Sequence, residues 1–165
     1  MSACACGRWL PPWLWLSLGL LVVCACACRS MDTEGAGVPN WLLRGIAEVE
    51  TESYWSDGVL RYAHKQDGAA GEVGPFQTTP EAFADVCRGN ESFPRLRQDR
   101  KLAVSITLRY LCLLRARYRL PDTDHGWLLV ARHYNAGRRP WLAIDYASEV
   151  WESGHARMTP TTPAE

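Results

Sequence analysis

The sequence feature that most constrains the fold is an apolar stripe at helical spacing that ends in a carboxylate. Glu50 is preceded at distances of seven, four and three residues by Leu43, Ile46 and Ala47. In an α-helix these spacings put all four side chains on one face. The pattern predicts an amphipathic helix over residues 39–53, with Glu50 pointing into the protein or a cleft.

A carboxylate on an apolar face has a particular chemistry. Removal from water raises its pKa, so Glu50 would stay protonated near neutral pH and could act as a general acid. Helical geometry alone also allows a simpler interpretation, in which Glu50 only ends the stripe at the end of the helix. Glu48 and Glu52 lie about 200° around the helix from Glu50, and we expect them to face solvent.

The first 30 residues differ in composition from the remainder. No acidic residue precedes Asp32, and an apolar run from Trp13 to Val23 follows the single basic residue Arg8. This pattern predicts a secretory signal peptide over residues 1–28. An uncleaved membrane anchor and a lipidated cysteine remain alternatives, because the apolar run approaches the length needed to cross a bilayer. In each case the chain is exported, to the periplasm or cell envelope.

Helix periodicity and boundary residues continue beyond the first helix. A linker over 29–38 precedes a single domain over 39–152, and a tail at 153–165 is expected to be disordered. We expect the segment 54–70 to be a loop, with a helical turn around Leu60, and we find no convincing strand. Further helices are predicted over residues 79–87, 97–119, 127–135 and 140–151. The fold class is therefore all-α or mainly α.

Charge and cysteine content limit the class of protein. The 18 basic and 18 acidic residues balance, which suits one globular domain, expected to be a monomer. Eight basic residues nevertheless fall between Arg95 and Arg119. They form either a solvated basic face or a surface that attracts a polyanion. A secretory segment and the absence of a nucleic-acid-binding motif argue against nucleic acid.

Cofactor and metal signals are lacking in the sequence. No dinucleotide or phosphate-binding fingerprint occurs, and the histidines do not have metal-ligand spacing, so neither a cofactor nor a metal is expected. Cys87 and Cys112 are the cysteines of the predicted domain. They form a disulfide or remain as two buried thiols.

Three short motifs, taken in order, resemble one known family. The segments are Ile46-Ala47-Glu48-Val49-Glu50-Thr51, Gly71-Glu72-Val73-Gly74-Pro75-Phe76-Gln77 and Val130-Ala131-Arg132-His133-Tyr134-Asn135-Ala136-Gly137. Their order and spacing resemble the lysozyme-like lytic transglycosylases of the SLT type, which also occur as phage endolysins. The resemblance covers residues 40–151. Thr51 stands where the family usually has serine, and Pro75-Phe76 replaces the usual Leu-Met.

The resemblance implies a lysozyme-like helical domain with a cleft that binds peptidoglycan glycan strands. Such an enzyme cleaves the bond between N-acetylmuramic acid and N-acetylglucosamine and leaves a 1,6-anhydro product. Glu50 would be the single acid and base. The substrate-binding residues that the resemblance implies are Gly74, Phe76, Gln77, Tyr134 and Asn135.

Three alternatives to this assignment remain. Glu52, which is followed by Ser53, is a second candidate for the acid. A hydrolytic lysozyme resembling the goose type would use Asp57 or Asp67 to activate water. A non-catalytic wall-binding protein on the same scaffold would keep binding without cleavage.

Overall fold

In a computed structural model, residues 37–62 and 67–156 are described. The predicted signal peptide or anchor, most of the linker and the end of the tail lie outside these residues. The described residues form five α-helices and one β-hairpin, so the mainly-α prediction is confirmed. The elements are α1 (Asn40–Thr51), β1 (Tyr54–Ser56), β2 (Val59–Arg61), α2 (Pro80–Val86), α3 (Arg100–Arg117), α4 (Asp124–Ala136) and α5 (Ile144–Ala156), with short 3₁₀ helices at Phe93–Arg97 and Pro140–Leu142.

Helix α1 forms as its sequence predicts, but its buried face is shifted from the predicted stripe. Ile46 and Ala47 are fully buried as expected, and so is Leu42. Leu43 of the predicted stripe is only half-buried, whereas Trp41, expected on the solvent side, is buried. Pro39 is the N-cap, with extended backbone angles. The helix ends because Glu52 adopts a left-handed conformation with φ 54°, which directs the chain out of the helix.

The segment after α1 corrects the prediction of a loop without strands. β1 and β2 pair antiparallel, with Tyr54 opposite Arg61. Asp57 and Gly58 both have positive φ, 50° and 72°, as the favoured two-residue hairpin turn requires. The predicted helical turn around Leu60 is wrong, because Leu60 lies within β2 and is buried there.

Capping side chains set the helix boundaries that periodicity alone misplaced. α3 begins at Arg100, three residues later than predicted, since the Asp99 carboxylate accepts a hydrogen bond from the Leu102 N–H at 3.0 Å. α4 begins at Asp124, three residues earlier than predicted, because the Thr123 hydroxyl accepts from the Gly126 N–H at 3.2 Å. In both cases a short oxygen-bearing side chain satisfies an otherwise unpaired helix N–H.

Helix α5 corrects the predicted tail. It extends to Ala156, so residues 153–156 are helical and Gly154 is buried. A Cβ placed on Gly154 would lie 2.1 Å from the Trp41 carbonyl oxygen, and one on Gly45 would lie 2.0 Å from the Val150 carbonyl oxygen. Helices α1 and α5 therefore touch backbone to backbone, which side chains at these two positions would prevent.

The core is built from several helices and from the loop that follows the hairpin. α3 contributes Ile106 and Leu111, and the loop contributes Phe76, all fully buried. Cys87 and Cys112 are free thiols and form no disulfide. The expectation of two buried thiols is wrong for Cys87, which is exposed, whereas Cys112 is half-buried and burial raises the pKa of its thiol. Within the described ranges no helix has the length and apolar character to cross a membrane.

Candidate active site

Glu50 lies in the last turn of α1, half-buried beside fully buried Ile46 and Ala47. Its Oε1 accepts a hydrogen bond of 2.7 Å from the Tyr146 hydroxyl of α5. The close packing of α1 on α5 makes this contact possible. The expected placement of Glu50 against the protein is therefore confirmed.

The surroundings of Glu50 favour its protonated form. Burial raises the pKa of Glu50, the Tyr146 hydrogen bond lowers it, and the negative charge of Glu72 raises it again. The net effect is a raised pKa, and desolvation is the largest cause. Glu52 is exposed as expected, whereas Glu48 is half-buried and not fully in solvent.

The glycine-containing loop over residues 71–77 has a defined backbone. Val73 and Thr78 close it with a pair of backbone hydrogen bonds of 3.0 Å each. Gly74 has a φ of 79°, and a Cβ there would lie 2.7 Å from the Leu96 carbonyl oxygen. Gln77 has the uncommon φ of 44°, and its side-chain amide donates to the Gly74 carbonyl at 3.1 Å.

Two hydroxyl groups attach this loop to the helices around Glu50. The buried Thr51 hydroxyl donates to the Pro75 carbonyl at 2.8 Å and lies 2.7 Å from the Ser53 hydroxyl. From α4, the Tyr134 hydroxyl donates to the Phe76 carbonyl at 2.6 Å. The loop is thus fixed to the residue next to Glu50 on one side and to Tyr134 on the other.

The residues that the sequence singled out for substrate binding do not all lie where a substrate could reach them. The Phe76 ring is fully buried, with its centroid 6.4 Å from that of Trp55. The ring therefore belongs to the core, and the predicted contact of Phe76 with a substrate is left to its backbone. Gly74 is buried, Gln77 is half-buried and Asn135 is exposed. The structure joins Tyr134 to the loop, whereas the Asn135 side chain makes no hydrogen bond to the residues that the structure describes.

Two groups near Glu50 were missed by sequence reasoning. Tyr146 is 96 residues away in the chain, and Gly45 and Gly154 mark the close approach of its helix to α1. Glu72 lies inside the recognised loop, and its Oε2 accepts a hydrogen bond of 3.0 Å from the Ala70 N–H. Its negative charge is the smallest of the three effects on the pKa of Glu50.

The two aspartates considered for water activation have other environments. Asp57 is exposed at the hairpin turn. Both oxygens of exposed Asp67 accept hydrogen bonds from Arg97, at 2.8 Å and 2.6 Å. That Arg97 hydrogen bond lowers the pKa of Asp67. Asp67 is therefore engaged in an ion pair.

Within the part of the chain that the structure describes, no group of three or more His, Cys, Asp or Glu side chains could hold a metal ion.

Comparison with known proteins finds no relative of this chain. The chain matches no protein-family model, no curated protein and no solved structure.

Proposed function

We propose that residues 39–152 are a lysozyme-like peptidoglycan lytic transglycosylase with Glu50 as its acid and base. One observation carries this proposal: a half-buried glutamate with a raised pKa ends a helix and receives a tyrosine hydrogen bond. The neighbouring Thr51 is bonded to the glycine loop. A carboxyl group that keeps its proton near neutral pH is what general acid catalysis of glycoside cleavage needs.

One carboxyl group is sufficient for both proton transfers of this reaction. Protonated Glu50 gives its proton to the glycosidic oxygen, and the bond from that oxygen to C1 of the muramic acid residue breaks. The Glu50 carboxylate then removes the proton from the C6 hydroxyl of the same sugar, whose oxygen bonds to C1. The products are a new 4-hydroxyl end and a 1,6-anhydro end, and Glu50 regains its proton.

The groups around Glu50 have supporting roles in this scheme. Tyr146 positions the carboxyl group and stabilises the ionised form that the second step requires, because its hydroxyl donates to Oε1. Tyr134 acts through the loop, whose Phe76 carbonyl it holds. Gln77 of the loop, whose amide also donates to the Gly74 carbonyl, contacts sugar amides and hydroxyls in this scheme.

A second candidate is hydrolysis of the same bond, as in goose-type lysozymes. Glu72 favours it, since retaining and inverting glycosidases use two carboxyl groups and the charge of Glu72 acts on Glu50. In this scheme Glu72 takes the water-activating role that the sequence suggested for Asp57 or Asp67. The product then has a free reducing end.

The cellular setting follows the sequence expectations. We propose that the chain is exported and acts in the periplasm or cell envelope on glycan strands, as a monomer without cofactor or nucleic acid. The N-terminal segment delivers it there as a signal peptide, an anchor or a lipid attachment site.

The test is digestion of purified peptidoglycan, with product masses read by mass spectrometry. Glu50→Gln should lower the rate by about 10²-fold or more, which is the contribution of a general acid. Glu52→Gln is the matched control and should stay active. An anhydro end in the wild-type product supports the transglycosylase, and a reducing end that requires Glu72 supports the hydrolase.

Two results would overturn the assignment. Loss of activity in Glu52→Gln, with Glu50→Gln still active, would move the acid to Glu52. Binding of peptidoglycan without cleavage at any pH would identify a non-catalytic wall-binding protein.

A further inference from the structure

The connection between α4 and α5 carries an exposed apolar patch. Trp141 is 65% exposed, Leu142 is 67% exposed and Ile144 is 49% exposed. They are the most exposed large hydrophobic side chains among the described residues, and none belongs to the hydrophobic core there. Single exposed apolar side chains are normal, but a group of them in adjoining positions indicates an interaction surface. These three residues form the Trp141 patch.

The backbone holds the Trp141 patch in a fixed orientation. The Leu142 N–H donates to the Arg139 carbonyl at 2.9 Å and closes the 3₁₀ helix Pro140–Leu142. The next residue, Ala143, is buried, and its carbonyl accepts a hydrogen bond of 3.2 Å from the Ala147 N–H. Ala143 therefore attaches the turn to the fold while its neighbours face solvent. A surface that is ordered in advance binds with a smaller loss of entropy.

Two cations precede the patch in the chain. Arg138 and Arg139 are exposed, and neither belongs to an ion pair of the described residues. Exposed Asp145 follows the patch, and exposed Glu149 lies about one turn farther along α5. Positive charge is therefore concentrated on the α4 side of the patch. The C-terminus of α4 favours nearby cations, which accounts for the arginines but not for the apolar side chains beside them.

This combination of side chains fits a lipid surface better than a protein partner. Tryptophan is enriched where a membrane meets water, because its ring is apolar and its N–H is polar. Arginine near such a surface is attracted to anionic headgroups. A stable protein interface takes about 20 residues or more from each partner, whereas the Trp141 patch offers three.

We infer that the Trp141 patch docks on the surface of a membrane that contains anionic lipids. Trp141 and Leu142 enter the headgroup region, and Arg138 and Arg139 pair with lipid phosphates. The inference concerns a second surface of the protein and does not depend on the proposed reaction.

Docking in this way leaves the proposed active site accessible. Ile144 begins α5, and Tyr146, which donates to Glu50, follows two residues later. Two helical residues correspond to a rotation of about 200°, so the face of α5 that reaches Glu50 is turned away from Ile144. A docked domain therefore keeps the contact between Tyr146 and Glu50 close to the bilayer.

The first experiment measures binding of the full-length protein to sedimented vesicles. Vesicles of phosphatidylcholine and phosphatidylglycerol in equal parts supply the anionic surface, and phosphatidylcholine alone is the comparison. Wild type should partition about tenfold more strongly onto the anionic vesicles, and Arg138→Gln with Arg139→Gln should lose that preference. Trp141→Ser with Leu142→Ser should bind both vesicles about tenfold more weakly. Val59→Ser, at a 44% exposed position of the hairpin, is the matched control and should bind as wild type does.

Methyl NMR locates the contact, whether or not the predicted N-terminal segment also binds lipid. A lipid with a paramagnetic headgroup should broaden the Leu142 and Ile144 methyl signals of the vesicle-bound protein and leave those of Val59 sharp. Patch methyls no broader than those of Val59, or an equal loss of binding in Val59→Ser, would overturn the inference. Shifts of the patch methyls with protein concentration in the absence of vesicles would overturn it in favour of a second copy of this chain.

Discussion

Glu50 lowers the stability of the folded protein near neutral pH. Its pKa is raised in the fold, mainly by burial, so the native state binds more protons than the unfolded chain above the ordinary glutamate pKa. The contribution of Glu50 to the free energy of unfolding is fully present below the ordinary glutamate pKa. It is lost as the pH rises through the raised pKa of Glu50 in the fold. The half-buried position of Glu50 therefore reduces stability near neutral pH.

Replacement of Glu50 by glutamine should stabilise the protein at pH 7. The amide keeps an oxygen for the Tyr146 hydroxyl and removes the ionised form, and we expect a gain of about 0.5–2 kcal/mol. The gain should disappear at a pH below the ordinary glutamate pKa. Urea denaturation at both pH values measures this, with exposed Glu52→Gln as the control. A gain independent of pH would contradict the electrostatic explanation.

The Tyr146 hydroxyl should have a measurable effect on Glu50 titration. It donates to the carboxylate and lowers the pKa of Glu50, so Tyr146→Phe should raise that pKa further. Carbon-13 NMR of the labelled glutamate carboxyl group measures the midpoint. Tyr134→Phe removes a neighbouring hydroxyl that bonds Phe76 instead, and it should move the midpoint less. An unchanged midpoint in Tyr146→Phe would contradict the assigned contact.

Helical phase predicted that Glu50 lies against the protein and that Glu52 is exposed, but it did not predict that Glu48 is half-buried as well. It could not find Tyr146, since that contact depends on how α5 packs on α1 across 96 residues. The burial of the Phe76 ring could not be predicted for a related reason. A ring in a loop can face a ligand or the core, and only the surrounding packing decides between them.

At the scale of elements, two glycines control the position of Tyr146 relative to Glu50. Alanine usually stabilises a helix by about 1 kcal/mol over glycine. Gly45→Ala and Gly154→Ala should instead destabilise by about 1–3 kcal/mol or more, because each Cβ would meet a carbonyl of the facing helix. Thermal unfolding measures the effect, with exposed Ser148→Ala on α5 as the control. A higher melting temperature in either glycine variant would contradict the close packing.

The elements that periodicity missed are short or depend on local side chains. Strands of three residues are too brief for an alternating pattern, although Asp57-Gly58 was a hairpin signal in the sequence. Thr79 caps α2, with a hydrogen bond of 3.1 Å from the Ala82 N–H to its hydroxyl. Asp99 and Thr123 cap α3 and α4 in the same way, and their positions account for the misplaced boundaries.

Across the whole molecule, the basic residues of α3 connect it to other parts of the fold. Arg117 pairs with Asp85 of α2, and Arg115 pairs with Asp122 before α4. The sequence predicted the excess of positive charge but not its neutralisation, because the partners lie in other elements. Most exposed pairs of this kind contribute little to stability. The pair between Arg109 and Glu91 differs because Arg109 is buried.

Glu91→Gln should destabilise the molecule at neutral pH. The Arg109 side chain is 4% exposed and pairs with Glu91 at 2.6 Å, so the change leaves a buried cation without its counter-charge. Glu91 keeps 24% exposure, and the loss should be about 3 kcal/mol, the lower end for buried pairs. Exposed Asp85→Asn is the control and should cost about 1 kcal/mol or less.

The pH dependence of the Glu91 effect should be opposite to that of Glu50. Burial alone would raise the pKa of Glu91, but hydrogen bonds and charges from Arg109 and Arg88 outweigh it and lower the pKa. A lowered pKa gives stability that is present above the ordinary glutamate value and is lost as pH falls through the lowered one. The difference between wild type and Glu91→Gln should therefore shrink in acid. Urea denaturation from pH 7 to pH 3 tests this, and a constant difference would show that packing, not charge, links Glu91 to α3.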